Sequence, residues 1–199
     1  MNLENHSNTE DTVQSREVLE GQLRESFGRI VYTHKTHEKA ADILLDRLST
    51  IKLTQIILAA ITTAGFVAAI FGVGTAGASE GVVVSTVLLA LNAYTKDYDL
   101  GELAQKHRQA GADLWLIREQ YLSLITDLKM GETPIESLQS ERDRLIENLH
   151  SIYSGSPSTT YKAYKKAQEA LKQSEDMTFS DEEIDAFLPQ ALKKNQKRL

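Results

Sequence analysis

The chain has 199 residues, a net charge of −6 and no cysteine. That length allows one domain, or one domain with tails. Without cysteine there are no disulfides, thiolate metal sites or cysteine nucleophiles, and the acidic balance gives no general reason to expect nucleic-acid binding.

Residues 1–14 are polar, with little to bury, and are expected to be disordered. No cleavable signal peptide is read there, because the apolar run starts only at Leu53. From about Ser15 the pattern turns helical. Phe27, Ile30, His34, His37, Ala41, Leu44, Leu48 and Ile51 recur at alternating steps of three and four, which is a heptad seam. Ser49–Leu53 holds neither Gly nor Pro, so the spacing predicts one helix running on into the apolar run.

From Leu53 through Ser79 no residue is charged, and Glu80 is the only charge before Lys96. A helix needs roughly 20 mostly apolar residues to cross a bilayer core. Leu53–Phe71 meets that length, Gly72–Ser79 has the composition of a tight connector, and Gly81–Thr95 reads as a shorter second span. A soluble protein with a buried helical hairpin is the alternative. Lys35, Lys39, Arg47 and Lys52 precede the first span and Lys96, Lys106 and Arg108 follow the second, while the connector has no basic residue. This asymmetry predicts both termini on the cytoplasmic side.

The second span leads into a matching seam of Leu100, Leu103, His107, Ala110, Leu114, Ile117, Tyr121, Leu124 and Leu128. With Lys52 and Lys96 at one level and the helices antiparallel, Leu48 faces Leu100 and Leu44 faces Leu103 or Ala104. Ala41 then faces His107, His37 faces Ala110, Ile30 faces Ile117 and Phe27 faces Tyr121. Met130-Gly131 ends this helix. Thr133-Pro134-Ile135-Glu136 is read as a capping box opening a helix whose apolar face is Ile135, Leu138, Leu145, Leu149 and Ile152. Tyr161–Lys172 reads as a short helix, and Ser180–Glu183 as a second capping box.

The fold expected is therefore all-α: a two-transmembrane helical hairpin continued into a long antiparallel cytosolic stalk, with a small C-terminal helical region. Its segments are 1–14, then 15–130 with spans at about 53–72 and 78–95, then 131–199.

The motifs point away from catalysis. Gly72-Val-Gly74-Thr-Ala-Gly77 matches the dinucleotide fingerprint, and Asp97 sits at the distance of its acid. However, about 19 apolar residues precede it where a short strand is needed, so a connector turn is the better reading. His34 and His37 lie one helical turn apart with Glu38 beside them, but the order is not that of a zincin and no third ligand is evident. Polar seam residues bonded within the bundle, or a protonation-sensitive seam with His107, account for them better than a metal. In the spans Gln55, Thr62, Gly65 and Ala69 share one face, and Gly81, Ser85 and Asn92 another. They are candidates for helix packing or, in an oligomer, for a pore lining. Glu80 could ring its mouth or be a solvated loop charge. No catalytic residue, cofactor or metal site is expected.

Taken together, Glu25–Lys39 (ESFGRIVYTHKTHEK), Ile51–Leu58 (IKLTQIIL), Leu116–Tyr121 (LIREQY), Tyr161–Gln168 (YKAYKKAQ) and Ser180–Pro189 (SDEEIDAFLP) resemble the SLATT-domain proteins. These form the two-transmembrane family associated with SMODS nucleotidyltransferases and SLOG domains, and the resemblance covers nearly everything after about residue 18. It implies a membrane effector of bacterial anti-phage defence, located in the inner membrane. It further implies a homo-oligomer that permeabilises the bilayer and causes cell death or dormancy. The partners implied are the lipid bilayer and a cytosolic system built on a nucleotidyltransferase or a reverse transcriptase. The alternative function is a non-conducting membrane-anchored scaffold that recruits such a partner. No catalytic residues come with the resemblance.

Overall fold

The computed structural model describes the backbone of residues 2–70, 76–173, 180, 183 and 184. Side chains are described from residue 13 on, apart from 69 and 76–80. Helices make up the described fold: α1 (Asn2–Ile70), α2 (Ala76–Asp97), α3 (Leu100–Met130), α4 (Ile135–Gly155) and α5 (Tyr161–Gln173).

Helix α1 is 69 residues long, about 100 Å at the α-helical rise. It passes unbroken through Ser49–Leu53, where the sequence offers no Gly or Pro. At its start it is drawn from Asn2, through the stretch whose polar composition predicts disorder; Leu19 is its first buried side chain among the described residues. The other helices pack along it. α2 lies on its C-terminal part, α3 on its middle and N-terminal parts, and α5 on a further face; α4 packs mainly on α3.

α1 runs opposite to α2 and α3, as the pairs between them record. Glu20 meets Lys129 at 2.8 Å, His37 meets His107, Leu48 lies against Gly101, and Gln55 meets Asn92. α2 and α3 are separated by a break at Tyr98-Asp99, where the Asp99 carboxylate accepts the Glu102 N–H at 2.8 Å and caps α3. At the other end Gly131 adopts φ +79°, and its N–H bonds back to the Asp127 carbonyl. Only glycine takes that left-handed conformation without a Cβ penalty, so the stalk ends there.

The core lies in the part of the bundle farthest from the apolar run. Leu19, Leu23 and Ile30 of α1, Leu114, Ile117, Tyr121, Leu124 and Leu128 of α3, and Leu138 and Leu145 of α4 form one cluster. α3 buries its expected seam at every position but one. Leu103 remains 38% exposed, and Ala104 takes the buried place. The reason is spacing: near Gly101 the helices are close, and the smaller residue fits between them.

Two expected details differ. The capping box at Thr133–Glu136 is not formed. Pro134 occupies the N-cap without a side-chain bond, and the Thr133 carbonyl accepts instead from Arg16 at 2.7 Å. The box at Ser180–Glu183 does form, with the Ser180 N–H donating to Glu183 at 2.8 Å and the Glu183 N–H to Ser180 Oγ at 3.3 Å. α1 also buries a face that the seam does not include. Thr36 and Ala40 are covered, and α5, whose buried residues are Ala163, Ala167 and Ala170, packs on α1.

Candidate functional site

The two histidines expected to face neighbouring positions on the stalk are in direct contact. His37 and His107 are each 3% exposed, and their Nδ1 atoms lie 3.0 Å apart. The expected register put Ala41 opposite His107 and Ala110 opposite His37, about one turn away. The expected register holds elsewhere, with Glu20 at Lys129 and Leu48 at Gly101, so the two rings reach each other diagonally across one turn, and beside them lies Arg108. Its guanidinium forks between Glu38 and Asp42, meeting Asp42 at 2.7 Å and Glu38 more closely still. Gly111 makes room for the fork, since a Cβ there would lie 2.7 Å from Glu38 Oε1.

His34 sits one turn along α1 and is half-buried, its Nδ1 enclosed and without a hydrogen-bond partner among the described residues. Burial pushes the His34 imidazole down to about 4, helped by the positive charges of Arg118 and Lys35 and opposed by Glu119. Burial also pushes His37 down to about 4, with His107 and then His34 adding to the effect. His107 is lowered by burial alone. These three rings are thus neutral at physiological pH. No group of three or more His, Asp or Glu side chains suited to a metal occurs among the described residues.

In the expected spans Gln55 donates through Nε2 to Asn92 Oδ1 at 2.9 Å, joining α1 to α2. Gly65 and Thr62 are half-buried, and the Thr62 hydroxyl is satisfied by the Leu58 carbonyl at 2.9 Å. Ser85 is exposed. The half-buried row of α2 is instead Gly81, Val84, Leu88 and Leu91, so Ser85 does not join Gln55. The side chains of Ala69 and Glu80 lie outside the described residues, as do residues 72–75 of the connector expected at Gly72–Ser79. α2 already begins at Ala76, because between there and Gly81 no Pro breaks the helix and Gly77 is the one Gly.

Charge-bearing side chains that the sequence pattern did not single out are those of the Arg108 fork. The available signal was Glu38 and Asp42 at an i, i+4 spacing beside the histidine pair. A second such feature lies nearer the apolar run, where the Arg47 guanidinium sits 5.5 Å from the Tyr94 ring centroid and Tyr94 stacks on Tyr98.

Among its described residues the chain is helical, with one apolar helix segment that the fold leaves unburied, as in a membrane-associated protein. Helix α1 carries an 18-residue window of mean hydropathy 1.7 with none of it buried in the fold. The family model described as SMODS and SLOG-associating 2TM effector domain family 4 (SLATT) matches residues 19–183, and the chain belongs to that family. No curated protein and no solved structure matches it significantly.

Proposed function

We propose that this chain is a bacterial inner-membrane effector of anti-phage defence that permeabilises the bilayer as a homo-oligomer. Its two spans lie at about 53–72 and 78–95, with both termini in the cytoplasm. The observation that carries the reading is the unburied apolar window of α1, in a chain of a two-transmembrane effector family. Water would charge such a segment about 25 cal/mol for each Å² of apolar surface, and lipid removes that cost. One two-helix unit cannot enclose a channel, so conduction requires several copies. Activation would come from the cytosolic side, through a system built on a nucleotidyltransferase or a reverse transcriptase. No catalytic role is assigned to any residue.

The test is membrane potential in cells that carry the activating system, on induction of the chain. Rapid depolarisation is expected from the wild type and none from Leu88→Arg, whose charge near mid-span costs roughly 2.5–3.5 kcal/mol on insertion scales. Equal depolarisation by both would overturn the proposal.

One observation favours the second reading, a non-conducting scaffold. The polar groups best suited to line a pore, Gln55 and Asn92, bond to each other across α1 and α2, which is a packing role. A membrane-inserted chain that leaves the potential unchanged on induction would establish that reading.

A further inference from the structure

The contact between His37 and His107 has a property that follows from its geometry. Each Nδ1 carries either a lone pair or a proton. At 3.0 Å the two atoms can share one proton, as N–H donor and lone-pair acceptor. One more proton on the outer Nε2 of the donor ring leaves that bond intact; only when both rings are imidazolium do two N–H donors point at each other.

We propose that the His37–His107 pair is a proton-sensitive clasp between α1 and α3, closed while a single proton lies between its facing nitrogens and opened when both rings become imidazolium. The carboxylates that could hold a doubly protonated pair are engaged elsewhere. On α1, Glu38 and Asp42 are taken by Arg108, and Lys39 reaches Asp42 at 4.0 Å. On α3, Lys106 pairs with Glu102 at 2.8 Å. Arg118 and Glu119 bear on His34 rather than on the pair. α5 buries alanines, its Lys166 and Glu169 standing with Lys39 and Asp42 at the rim of an open cleft. α4 reaches α1 through Tyr153, whose hydroxyl donates to Thr33 at 3.4 Å. No carboxylate among these described groups turns to the pair, so none of them compensates the charge of two imidazolium rings.

The sign of the effect follows. The folded His37 imidazole is held down at about 4, against an ordinary value of 6.5. The unfolded chain therefore binds protons first as pH falls, and the stability present above pH 6.5 declines between 6.5 and 4. Opening the clasp would separate α1 from α3 roughly 24 Å along the helix from Leu53. That position is between the cytosolic core and the apolar run. The inference concerns the stalk alone and holds whether or not the chain conducts.

The experiment uses the full chain in lipid nanodiscs. With 15N-labelled histidine, one of the two rings should carry its proton on Nδ1 at pH 7.5 and the other on Nε2. Both protons on Nε2, or titration of both rings near 6.5, would overturn the proposal. In parallel, the thermal midpoint of the wild type should fall by about 5 °C between pH 7.5 and pH 5.0. His37→Leu/His107→Leu should remove the larger part of that fall, whereas His34→Leu should remove only the share of its own buried ring. If the fall disappears with His34→Leu alone, or is the same in all three proteins, the clasp is refuted. The nitrogen spectrum is read on the wild type, so it decides the matter even if the double variant fails to fold.

Discussion

Arg108 holds two carboxylates of α1 from its place on α3, and its neighbours show how little freedom that leaves. Glu38 and Asp42 lie one turn apart, each partly exposed. Solvent screens such a pair, which limits its contribution to about 1 kcal/mol. Arg108→Gln should therefore lower stability by about that amount at pH 7.5. Its sharper effect should be on pH dependence. With Glu38 released, a carboxylate becomes free beside His37, and an opposite charge favours the imidazolium. The fall in stability on acidification should shrink relative to the wild type, as measured by thermal unfolding at pH 7.5 and 5.0. An unchanged pH profile would show that Glu38 does not bear on the pair. These side chains were only partly legible. The sequence marks His34, His37 and His107 as lying on seams, because periodicity reports which face of a helix is buried. It does not report which side chains lean across a turn, and so the direct contact of His37 with His107 was not read, although the register that sets Leu48 beside the start of α3 was.

At the scale of elements, the facing of α3 on α1 makes a distinction that pattern alone could not. Leu114 is fully buried in the core, whereas Leu103, also on the predicted seam, is 38% exposed. Leu114→Ala should cost about 2–5 kcal/mol, the range for a buried leucine that leaves a cavity. Leu103→Ala should cost less than about 1 kcal/mol. Chemical unfolding of the two variants in the same detergent is the comparison, and equal losses would mean that the helix is rotated relative to this description. The same reasoning applies to α5. Its row of Ala163, Ala167 and Ala170 gave no strong apolar signal. Yet small residues let the helix sit close to Thr36 and Ala40, and the Tyr32 and Tyr164 rings pack at 6.1 Å beside them. A short alanine-faced helix is legible as a helix, but its docking partner is not.

For the whole molecule, the question is where the bilayer lies. If the two spans cross it with both termini cytoplasmic, single cysteines at Ser15 and Ser158 should be shielded from impermeant thiol reagents in intact cells, and one at Thr75 should be labelled. The chain has no native cysteine, so each site reports alone. Labelling at all three positions, or at the termini alone, would exclude this topology. Arg47 over Tyr94 and the Tyr94–Tyr98 stack occupy the level expected of an interfacial belt, where amphipathic rings meet headgroups.

The sequence by itself determined the class of the protein: helices throughout, a charge-free run from Leu53 to Ser79, continuity of the first helix into that run, and family membership. The first three are properties of local composition and of period, which a chain carries regardless of how it packs; the family rests on the resemblance of particular stretches. Only the tertiary structure decided that His37 touches His107, that Arg108 forks across the stalk, and that Ala104 rather than Leu103 is buried. It also placed α5 over a second face of α1 and left Ser85 outside the α1–α2 contact. The reason is that a seam repeating every three and four residues fixes which faces meet, but not which side chains reach across to a neighbouring turn. Apolar burial alone hardly separates the alternatives; short-range contacts such as the Arg108 fork and the close approach at Gly101 do, and they exist only once the helices have met.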